Sequence, residues 1–456
     1  MENQFFHHAL KILRDVCIGC SHCMRVCPTE ALRVKDGKAV LYEDRCVDCG
    51  ECFRVCPVNA IIIEQDDFSK IFGYKHRVAL VPAVLMGQFP EELSPSEIYS
   101  VLLELGFTDV YEVENSVEVL VDEVNAYVSN REHEQPIISS FCPAIIRLIQ
   151  VKFPSLVDNI MLLRPPLDVS ALYCKKQLMD KGIAEDEIGI FYITPCAAKI
   201  AAIKSPVGED RSEVTGVINM DLIYNRVLRT LKQKGVESCV VPEKTSLTER
   251  SILWSLTNGE AAHVNGRCMA IDEIHNVIEF LEKIESEEIT DIDFLELRAC
   301  DESCAGGVLA AGNRFLTVEK LRSRAINIKA EEETLPDPSW KDITEYKGYL
   351  TSMLAIQPVT PRSMLKLDED MAKAMKKMER VRRIMCFLPG IDCGTCGAPS
   401  CQALAEDIVQ GKAAISHCIF IQRNMEQTRK LHPDHAYRIM EKIWGKDRFT
   451  KNCNKK

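Results

Sequence analysis

A cysteine motif that occurs twice near the start of the chain constrains the fold most. Residues 17–28 read C-x2-C-x2-C-x3-C-P, and residues 46–57 repeat the pattern. Such a run places three thiolates around one iron–sulfur cubane, and the fourth ligand comes from the other run. We therefore predict two 4Fe-4S clusters, one on Cys17, Cys20, Cys23 and Cys56 and the other on Cys46, Cys49, Cys52 and Cys27. A pair of zinc sites is the alternative, but the complete duplication of the motif disfavours it.

The cysteine content indicates metal binding in the rest of the chain as well. The sequence has 21 cysteines among 456 residues, and most of them fall into sets of four. In a reducing compartment, such a content indicates metal ligands and not disulfides. No apolar run approaches the length of a membrane span, and the first residues carry no secretion signal. We therefore expect a cytoplasmic protein without a membrane partner.

Composition and charge are those of an ordinary globular protein. Hydrophobic residues make up 46% of the chain and charged residues 27%, as in folded domains. The formal net charge of −11 argues against nucleic acid as a bulk electrostatic partner. The length is sufficient for roughly two to four domains.

The sequence predicts a short hairpin between the two motifs and alternating strands and helices after residue 76. The hairpin follows from Asp36-Gly37, a frequent turn pair, between two apolar runs. A buried strand over 77–84 precedes a helix that begins at Ser94-Pro95, where serine caps and proline fits the first turn. The other strands are expected at residues 108–113, 137–138, 188–193, 216–218, 262–264 and 294–297, and helices at 115–130 and from 144. This alternation predicts an α/β fold with two lobes.

Four further cysteines lie where predicted strands end. Cys142 and Cys196 each follow an apolar run, and Cys300 and Cys304 have the spacing C-x3-C. Gly306-Gly307 follows at once and allows the backbone to approach a bulky neighbour. Because α/β proteins build ligand sites at the ends of strands, these cysteines form a plausible Fe–S ligand set.

These segments resemble the three signature loops that hold the H-cluster of iron-only (FeFe) hydrogenases. In that family the loops read T-S-C-C-P, M-P-C-x-x-K-x-x-E and E-x-x-x-C-x-x-x-C-x-G-G. Here they read Ser-Ser-Phe-Cys-Pro, Thr-Pro-Cys-Ala-Ala-Lys and, from residue 296, Glu-Leu-Arg-Ala-Cys-Asp-Glu-Ser-Cys-Ala-Gly-Gly. The resemblance implies that a cubane is bound by Cys142, Cys196, Cys300 and Cys304. Cys304 would join it to a two-iron centre that carries CO, cyanide and a bridging dithiolate.

The resemblance also assigns residues around the two-iron centre. Lys199 takes the position of a lysine that hydrogen-bonds a cyanide. Pro82 and Ala83 match a V-A-P-A segment that contacts a cyanide, and Pro166 ends a segment that normally reads Lys-Ser-Pro. The similarity covers about residues 76–325 and is clearest at the three loops.

Several positions depart from the family pattern. Phe141 stands where the family has the cysteine that passes protons to the dithiolate amine. A phenyl ring cannot carry a proton, so another residue must do so. The candidates nearest in sequence to the metal are Glu302 and Ser303, which lie between the two loop-three ligands. Capping or solvent exposure is the alternative role for both. The other replacements are Thr194 for methionine, Ala202 for glutamate and Arg298 for methionine.

A fourth cysteine set lies near the end of the sequence. Cys393, Cys396, Cys401 and Cys418 have the spacing C-x2-C-x4-C-x16-C. This spacing resembles the 4Fe-4S domain found in the Rnf complex and in corrinoid iron–sulfur proteins. Zinc is the alternative, but the surrounding P-G-x-x-C-G-x-C-G pattern favours iron.

One long helix is predicted between residues 363 and 385, because this stretch has neither proline nor glycine. Methionines at 371, 375, 378 and 385 share one side of it, and basic residues lie largely elsewhere. Such a stripe predicts core packing, with a docking helix for an acidic or apolar partner as the alternative.

We expect the chain to have four parts: a two-cluster ferredoxin-like α+β domain at 1–72, the H-cluster domain at 73–330, a tail and linker helix at 331–385, and a mainly helical 4Fe-4S domain at 386–456.

Two functions follow from the resemblance. The first is reversible H2 oxidation at an H-cluster, fed by three further 4Fe-4S clusters and a ferredoxin-like partner, after loading by H-cluster maturation proteins. The order of the parts resembles the sensory branch of the family, which implies slow turnover and a downstream signalling protein. The second is a non-catalytic electron-transfer or assembly protein of the Nar1 type, which has the same fold and lacks the two-iron centre. Lys199 argues against the second, because its family role requires a cyanide.

Overall fold

The computed structural model describes residues 6–130, 132–234, 247–332, 341–362, 367–368 and 370–449. No helix within these ranges combines the length and apolar character that a membrane span requires. By contacts the chain divides into two compact units, which comprise residues 10–64 with 362–456 and residues 1–9 with 65–361. We call them the small unit and the large unit. The predicted four-part division of the chain stays a prediction.

The first half of the small unit contains the predicted hairpin. Its strands pair antiparallel with Leu32 opposite Leu41 and Lys35 opposite Lys38, so the prediction is confirmed. Asp36 and Gly37 form the turn, and both have positive φ, which is the conformation that favours glycine. The elements of this half are β1 (Leu10–Ile12), α1 (His22–Arg25), β2 (Leu32–Lys35), β3 (Lys38–Leu41), α2 (Glu51–Arg54) and β4 (Ile61–Ile63), with β1 antiparallel to β4.

The large unit is an α/β structure with two parallel sheets, as predicted. One sheet has the strand order β6-β5-β8-β9 and the other β10-β11-β7. The strands are β5 (His76–Val81), β6 (Asp109–Glu112), β7 (Ile137–Ile138), β8 (Ile188–Thr194), β9 (Gly216–Asn219), β10 (Cys268–Ile271) and β11 (Phe294–Leu297). β8 is buried along its whole length, as expected for a parallel strand with helices on both faces.

Helices cover both sheets and begin where the sequence signals predict. The helix after residue 94 has a full capping box, in which the Ser94 hydroxyl accepts from the Glu97 N–H and the Glu97 carboxylate accepts from the Ser94 N–H. The helices of the large unit are α3 (Pro95–Glu104), α4 (Val117–Ser129), α5 (Pro143–Lys152), α6 (Pro166–Asp180), α7 (Ala197–Lys204), α8 (Met220–Lys234), α9 (Glu249–Leu253), α10 (Ile274–Glu285), α11 (Arg314–Glu332), α12 (Lys341–Glu345) and α13 (Lys347–Ser352).

One predicted strand is wrong. Residues 262–264 belong to a turn, the 3-10 helix Ala261–His263, and the strand lies further on at Cys268–Ile271. The Glu296 carboxylate accepts hydrogen bonds from the N–H groups of Glu260 and Ala261, at 2.9 and 2.8 Å. Because these bonds hold the local backbone as a turn, the short apolar run does not extend.

The second half of the small unit is helical, and its first helix is shorter than predicted. The helix begins at Met371, since the Asp370 side chain caps the N–H groups of Ala372 and Lys373. Residues 363–366 and 369 of the predicted helix lie outside the described residues. The prediction that the methionine stripe packs in the core is also wrong, because Met371 is 77% exposed and Met375 is 63% exposed. The helices are α14 (Met371–Met385), α15 (Cys401–Val409), α16 (Ile419–Gln427) and α17 (Pro433–Trp444).

The two halves of the small unit are joined by backbone hydrogen bonds and buried ion pairs. The N–H of Val34 donates to the Gly397 carbonyl at 2.8 Å, and the N–H groups at the hairpin turn donate to the end of α17. Arg33 pairs with Asp407 at 2.9 Å, and both side chains are at most 5% exposed. Arg45 pairs with Glu406 in the same way. The first two cysteine motifs and the last therefore belong to one packed body.

Asp407→Ala should destabilise the small unit, because it leaves the Arg33 guanidinium buried without its carboxylate partner. Removing one member of a buried ion pair costs about 3–5 kcal/mol. Calorimetry of the full chain should show one transition at lower temperature, by about 2–4 °C per kcal/mol. The double variant Arg33→Met/Asp407→Leu is the matched control and should recover most of the loss. Equal losses in the single and double variants would contradict this account of the ion pair.

Candidate iron–sulfur sites

The structure brings the eight cysteines of the duplicated motif into two groups. Burial raises the pKa of Cys23 to about 12, and the neighbouring thiols of Cys20, Cys17 and Cys56 raise it as well. Burial likewise raises the pKa of Cys52, and Cys49 and Cys27 add to the effect. Cys46 also interacts with Cys52 and Cys27. The fourth member of each group therefore comes from the opposite motif, and each group can offer four thiolates to one cubane.

The cysteines of the C-terminal set also lie together. Burial raises the pKa of Cys396 to about 11, and the thiols of Cys393 and Cys418 raise it as well. Cys401 and Cys418 are buried in one hydrophobic cluster, and Cys396 packs against that cluster. The Asp392 carboxylate accepts from the N–H of Cys401 at 2.6 Å and fixes the loop before α15.

The three cysteine loops of the large unit lie at the carboxyl ends of parallel strands. Cys142 precedes α5 and follows β7, Cys196 precedes α7 and follows β8, and Cys300 and Cys304 follow β11. Burial raises the pKa of Cys196 to about 12, and the Cys142 and Cys304 thiols raise it as well, although the Lys199 ammonium opposes them. The thiols of all three loops therefore lie within reach of one another's charge.

Loop three packs directly on loop two. The N–H of Leu309 donates to the Pro195 carbonyl at 2.9 Å. A Cβ at Gly307 would lie 2.5 Å from that carbonyl oxygen, so only glycine fits there. Glu302 and Ser303 both adopt positive φ, a strained conformation that clusters at functional sites. The sequence predicts that Gly306-Gly307 lies against a bulky neighbour. For Gly307 that neighbour is the backbone of loop two.

Two of the departures from the family pattern contact each other. The Arg298 guanidinium lies 3.6 Å from the centroid of the Phe141 ring, and the Lys199 ammonium lies 4.8 Å from the same centroid. Such cation–π contacts are most favourable where the cations are desolvated, as both are here. Phe141 therefore stacks with two buried cations.

Lys199 is buried and remains charged. Burial opposes its charge, but Cys304, Tyr192 and Cys196 outweigh that effect and raise the pKa of Lys199. Its ammonium donates to the Tyr192 hydroxyl at 3.2 Å. A buried ammonium near two candidate ligand cysteines is well suited to hold an anionic ligand.

Several buried donors fit a cluster in the three-loop site. Arg298 Nη1, Trp254 Nε1 and the Ser303 hydroxyl have no hydrogen-bond partner among the described residues. Trp254 and Phe141 form one hydrophobic cluster, against which Cys142 and Cys304 pack. Buried donors left unpaired are costly, whereas the sulfur atoms of a bound cluster accept such bonds. The residues present therefore fit an Fe–S cluster at Cys142, Cys196 and Cys304, with Cys300 on the same loop as Cys304.

A cavity adjoins this site and contains carboxylates that no sequence motif predicts. Its wall includes Phe141, Lys199, Pro166, Ala202 and the carboxylates of Glu114, Asp168 and Glu209. The cavity has a volume of about 100 Å³, which is room for several water-sized groups. The three carboxylates come from segments far apart in sequence and meet only in the fold.

Burial raises the pKa of each cavity carboxyl group. The pKa is about 7 for Glu114, about 6 for Asp168 and about 7 for Glu209, where the neighbouring Asp168 contributes as well. Groups with such pKa values can both accept and donate protons near neutral pH.

The remaining predicted site residues do not line the cavity. Among the described residues its wall excludes Pro82, Ala83, Cys304, Glu302 and Ser303. Ala83 lies directly behind it, since its N–H donates to the Glu114 carboxylate at 2.8 Å. Glu302 instead borders a surface groove that α11 lines with Phe315, Arg322 and Ile326.

Three family models match separate parts of the chain. Residues 75–252 match the C-terminal domain of the iron only hydrogenase large subunit, which includes the first two cysteine loops and ends before the third. Residues 8–64 match a 4Fe-4S dicluster domain, and residues 388–420 match an Fe-S cluster domain.

Similar proteins are found among characterised sequences and solved structures. A stretch of 39 residues is 54% identical to one component of the Na(+)-translocating ferredoxin:NAD(+) oxidoreductase complex of Acetobacterium woodii, which covers 9% of this chain and 12% of that component. Among solved structures, a variant of FeFe-hydrogenase HydA1 from Chlamydomonas reinhardtii is 17% identical, with a TM-score of 0.46 over 64% of this chain and 95% of that one. A structure from a study of FeFe-hydrogenase oxygen inactivation is 15% identical, with a TM-score of 0.47 and the same coverage.

Asp168→Asn should change how stability depends on pH. Because the folded-state pKa of Asp168 is raised to about 6, its contribution to stability is complete below the unfolded value near 4 and is lost as pH rises through 6. Relative to wild type, the variant should therefore gain about 1–2 kcal/mol between pH 5 and pH 8. Thermal unfolding across this range measures the difference.

Asp122→Asn is the control variant, whose stability relative to wild type should change with pH in the opposite direction. The Lys347 ammonium lowers the pKa of Asp122, so that carboxylate stabilises the fold at high pH and the asparagine variant should lose a little stability there. A pH-independent difference for Asp168→Asn would contradict the raised pKa.

Proposed function

The chain belongs to the FeFe-hydrogenase family, and from that premise we propose that it is a slow hydrogenase that acts as an H2 or redox sensor in the cytoplasm. It would interconvert H2 with two protons and two electrons. The observation that carries the proposal is the three-loop site, in which Lys199 is charged, buried and placed between the candidate ligands Cys196 and Cys304 and the cavity. A charged lysine in such a wall suits an anionic cofactor ligand.

The residues of the large unit have separate roles in this proposal. Cys142, Cys196, Cys300 and Cys304 would hold the cubane, and Cys304 would also hold the two-iron centre. When bound, the H-cluster supplies the iron site at which H2 is cleaved and formed. Lys199 and Pro166, which line the cavity, would lie beside the centre, where the lysine could donate to an anionic ligand, and the Pro82-Ala83 segment would lie behind that wall. The Ala83 N–H is engaged by Glu114, so that segment acts through its shape and not through a free donor.

The small unit carries electrons in this proposal. Its cysteines would hold three further 4Fe-4S clusters, two on the duplicated motif and one on the C-terminal set. Electrons would pass through them to a ferredoxin-like partner. Loading requires H-cluster maturation proteins, and a sensor also requires a downstream signalling protein. The four-part division at residues 72, 330 and 385 belongs to the same proposal.

Slow turnover follows from how protons can leave the site. A proton released in the cavity meets the Phe141 ring, which can neither accept nor donate it. Glu302 and Ser303 are the substitutes that lie nearest in sequence, but they do not border the cavity among the described residues. Asp168 and Glu209 do border it and can exchange protons near neutral pH. The cavity carboxylates are therefore the better route, although they replace a relay that begins with a thiol.

Reduction of a viologen dye by H2 tests the function. The protein is expressed with H-cluster maturation proteins and assayed without oxygen. Wild type should reduce the dye measurably, but far below the rates on the order of 10³ per second that fast enzymes reach. Cys304→Ala should abolish the activity, and Cys268→Ala, whose thiol bonds the Val264 carbonyl, is the matched cysteine control and should retain it. No activity in wild type, despite loaded clusters, would favour the non-catalytic alternative of the Nar1 type.

Three further variants distinguish the proton routes. Phe141→Cys places a thiol beside the cavity but removes the ring that stacks on Arg298 and Lys199, so it should raise turnover only modestly. Asp168→Asn should slow turnover by about a hundredfold or more, the range for loss of a proton-transfer group. Glu302→Gln should have little effect if the cavity is the route. Strong slowing by Glu302→Gln and none by Asp168→Asn would assign the relay to loop three.

A further inference from the structure

Arg298 is a buried cation at the centre of the three-loop site. It is 2% exposed and lies at the end of β11, two residues before Cys300. Its guanidinium stacks on Phe141 and interacts electrostatically with Cys304 and Cys142. Arg298 lies within loop three but is not one of its predicted ligands, and the family pattern has an uncharged methionine at this position.

Two carboxylates pair with Arg298. Glu260 accepts from the guanidinium at 3.1 Å and Glu296 at 3.3 Å. Glu296 also accepts three backbone N–H bonds, from Asn258, Glu260 and Ala261, so its oxygens are shared among four donors. Burial raises the pKa of Glu260 to about 7, and the Arg298 guanidinium opposes that rise.

The hydrogen-bonding capacity of Arg298 is not fully used by the protein. Nη1 is buried without a partner among the described residues, and so is Trp254 Nε1 in the cluster against which Cys142 and Cys304 pack. Both donors therefore belong to the immediate surroundings of the candidate ligand thiols. A permanent charge and spare donors at one place are the features by which a protein tunes an Fe–S cluster.

We propose that Arg298 raises the reduction potential of the cubane held by Cys142, Cys196, Cys300 and Cys304. Reduction adds one electron to the cubane, and a nearby cation and hydrogen-bond donors stabilise the more negative state. Such a cubane accepts an electron released by H2 readily and returns it poorly. The residue thereby biases the site toward H2 oxidation, which is the direction that a sensor of H2 needs. The inference rests on the cubane part of the proposed function and not on the two-iron centre.

The test uses the full chain expressed without maturation proteins and reconstituted with iron and sulfide. A redox titration followed by electron paramagnetic resonance gives the midpoint potentials, and the signal that Cys300→Ala abolishes identifies the cubane in question. Arg298→Met should move that midpoint to a more negative value. At the wild-type midpoint the ratio of oxidised to reduced cubane should rise about tenfold, as expected for one charge near the cluster. Arg298→Lys keeps the charge and should lie between the two.

Two further variants keep the proposal testable if Arg298→Met does not fold. Glu260→Gln removes negative charge from the same network and should move the midpoint to a more positive value. Arg77→Met is the matched control, because Arg77 donates to the Gly106 and Tyr74 carbonyls at the opposite end of β5 from Pro82, and it should leave the midpoint unchanged. An unchanged midpoint in both Arg298→Met and Glu260→Gln, or an equal shift in Arg77→Met, would overturn the proposal. None of these outcomes depends on hydrogenase activity.

Discussion

The burial of grouped thiols is the constraint on which the rest of the structure depends. A buried thiolate is costly, and four together repel one another, unless a metal core offsets both effects. The raised pKa values of Cys23, Cys196 and Cys396 express that cost in three different places. Each group of cysteines is therefore held in place by other parts of the fold. These are a tight loop before a helix, the end of a strand, or the other half of the small unit. The ion pairs of Arg33 and Arg45 in the small unit serve this purpose, because they bind the C-terminal helices to the N-terminal hairpin.

The side chains around the three-loop site differ from the family pattern as a connected group. Phe141 and Arg298 are separate replacements in sequence, yet they stack on each other in the fold, with Glu260 and Ser139 completing the network. A thiol at position 141 would have no face for the guanidinium to stack on, and a methionine at 298 would leave Glu260 buried without its cation. Each of the two replacements therefore depends on the other for its contacts.

Local signals in the sequence predicted much of the fold. Asp36-Gly37 and Ser94-Pro95 predict a turn and a helix start, because the local backbone conformation depends on those residues. The helix start at Met371 was missed because the Asp370 cap competes with a long stretch free of helix breakers. The strand at residues 262–264 was wrongly predicted, since the bonds that bend it come from Glu296, a residue distant in sequence. The exposed face of Met371 and Met375 could not be told from a core face by spacing.

In the candidate site too, some residues can be predicted from local sequence and others cannot. Spacing predicts three of the cysteine sets, and the resemblance predicts the remaining set and Lys199, because these positions belong to short motifs. Asp168, Glu209 and the network of Glu260 around Arg298 could not be found, since their meaning depends on which distant segments the fold brings together.

An infrared spectrum of the protein produced with H-cluster maturation proteins tests the central claim most directly. Carbonyl and cyanide ligands absorb where the protein itself has no bands, so the spectrum reports the two-iron centre without requiring turnover. The account predicts carbonyl and cyanide bands in wild type and their loss in Cys304→Ala. A protein with fully loaded cubanes and no such bands would contradict it.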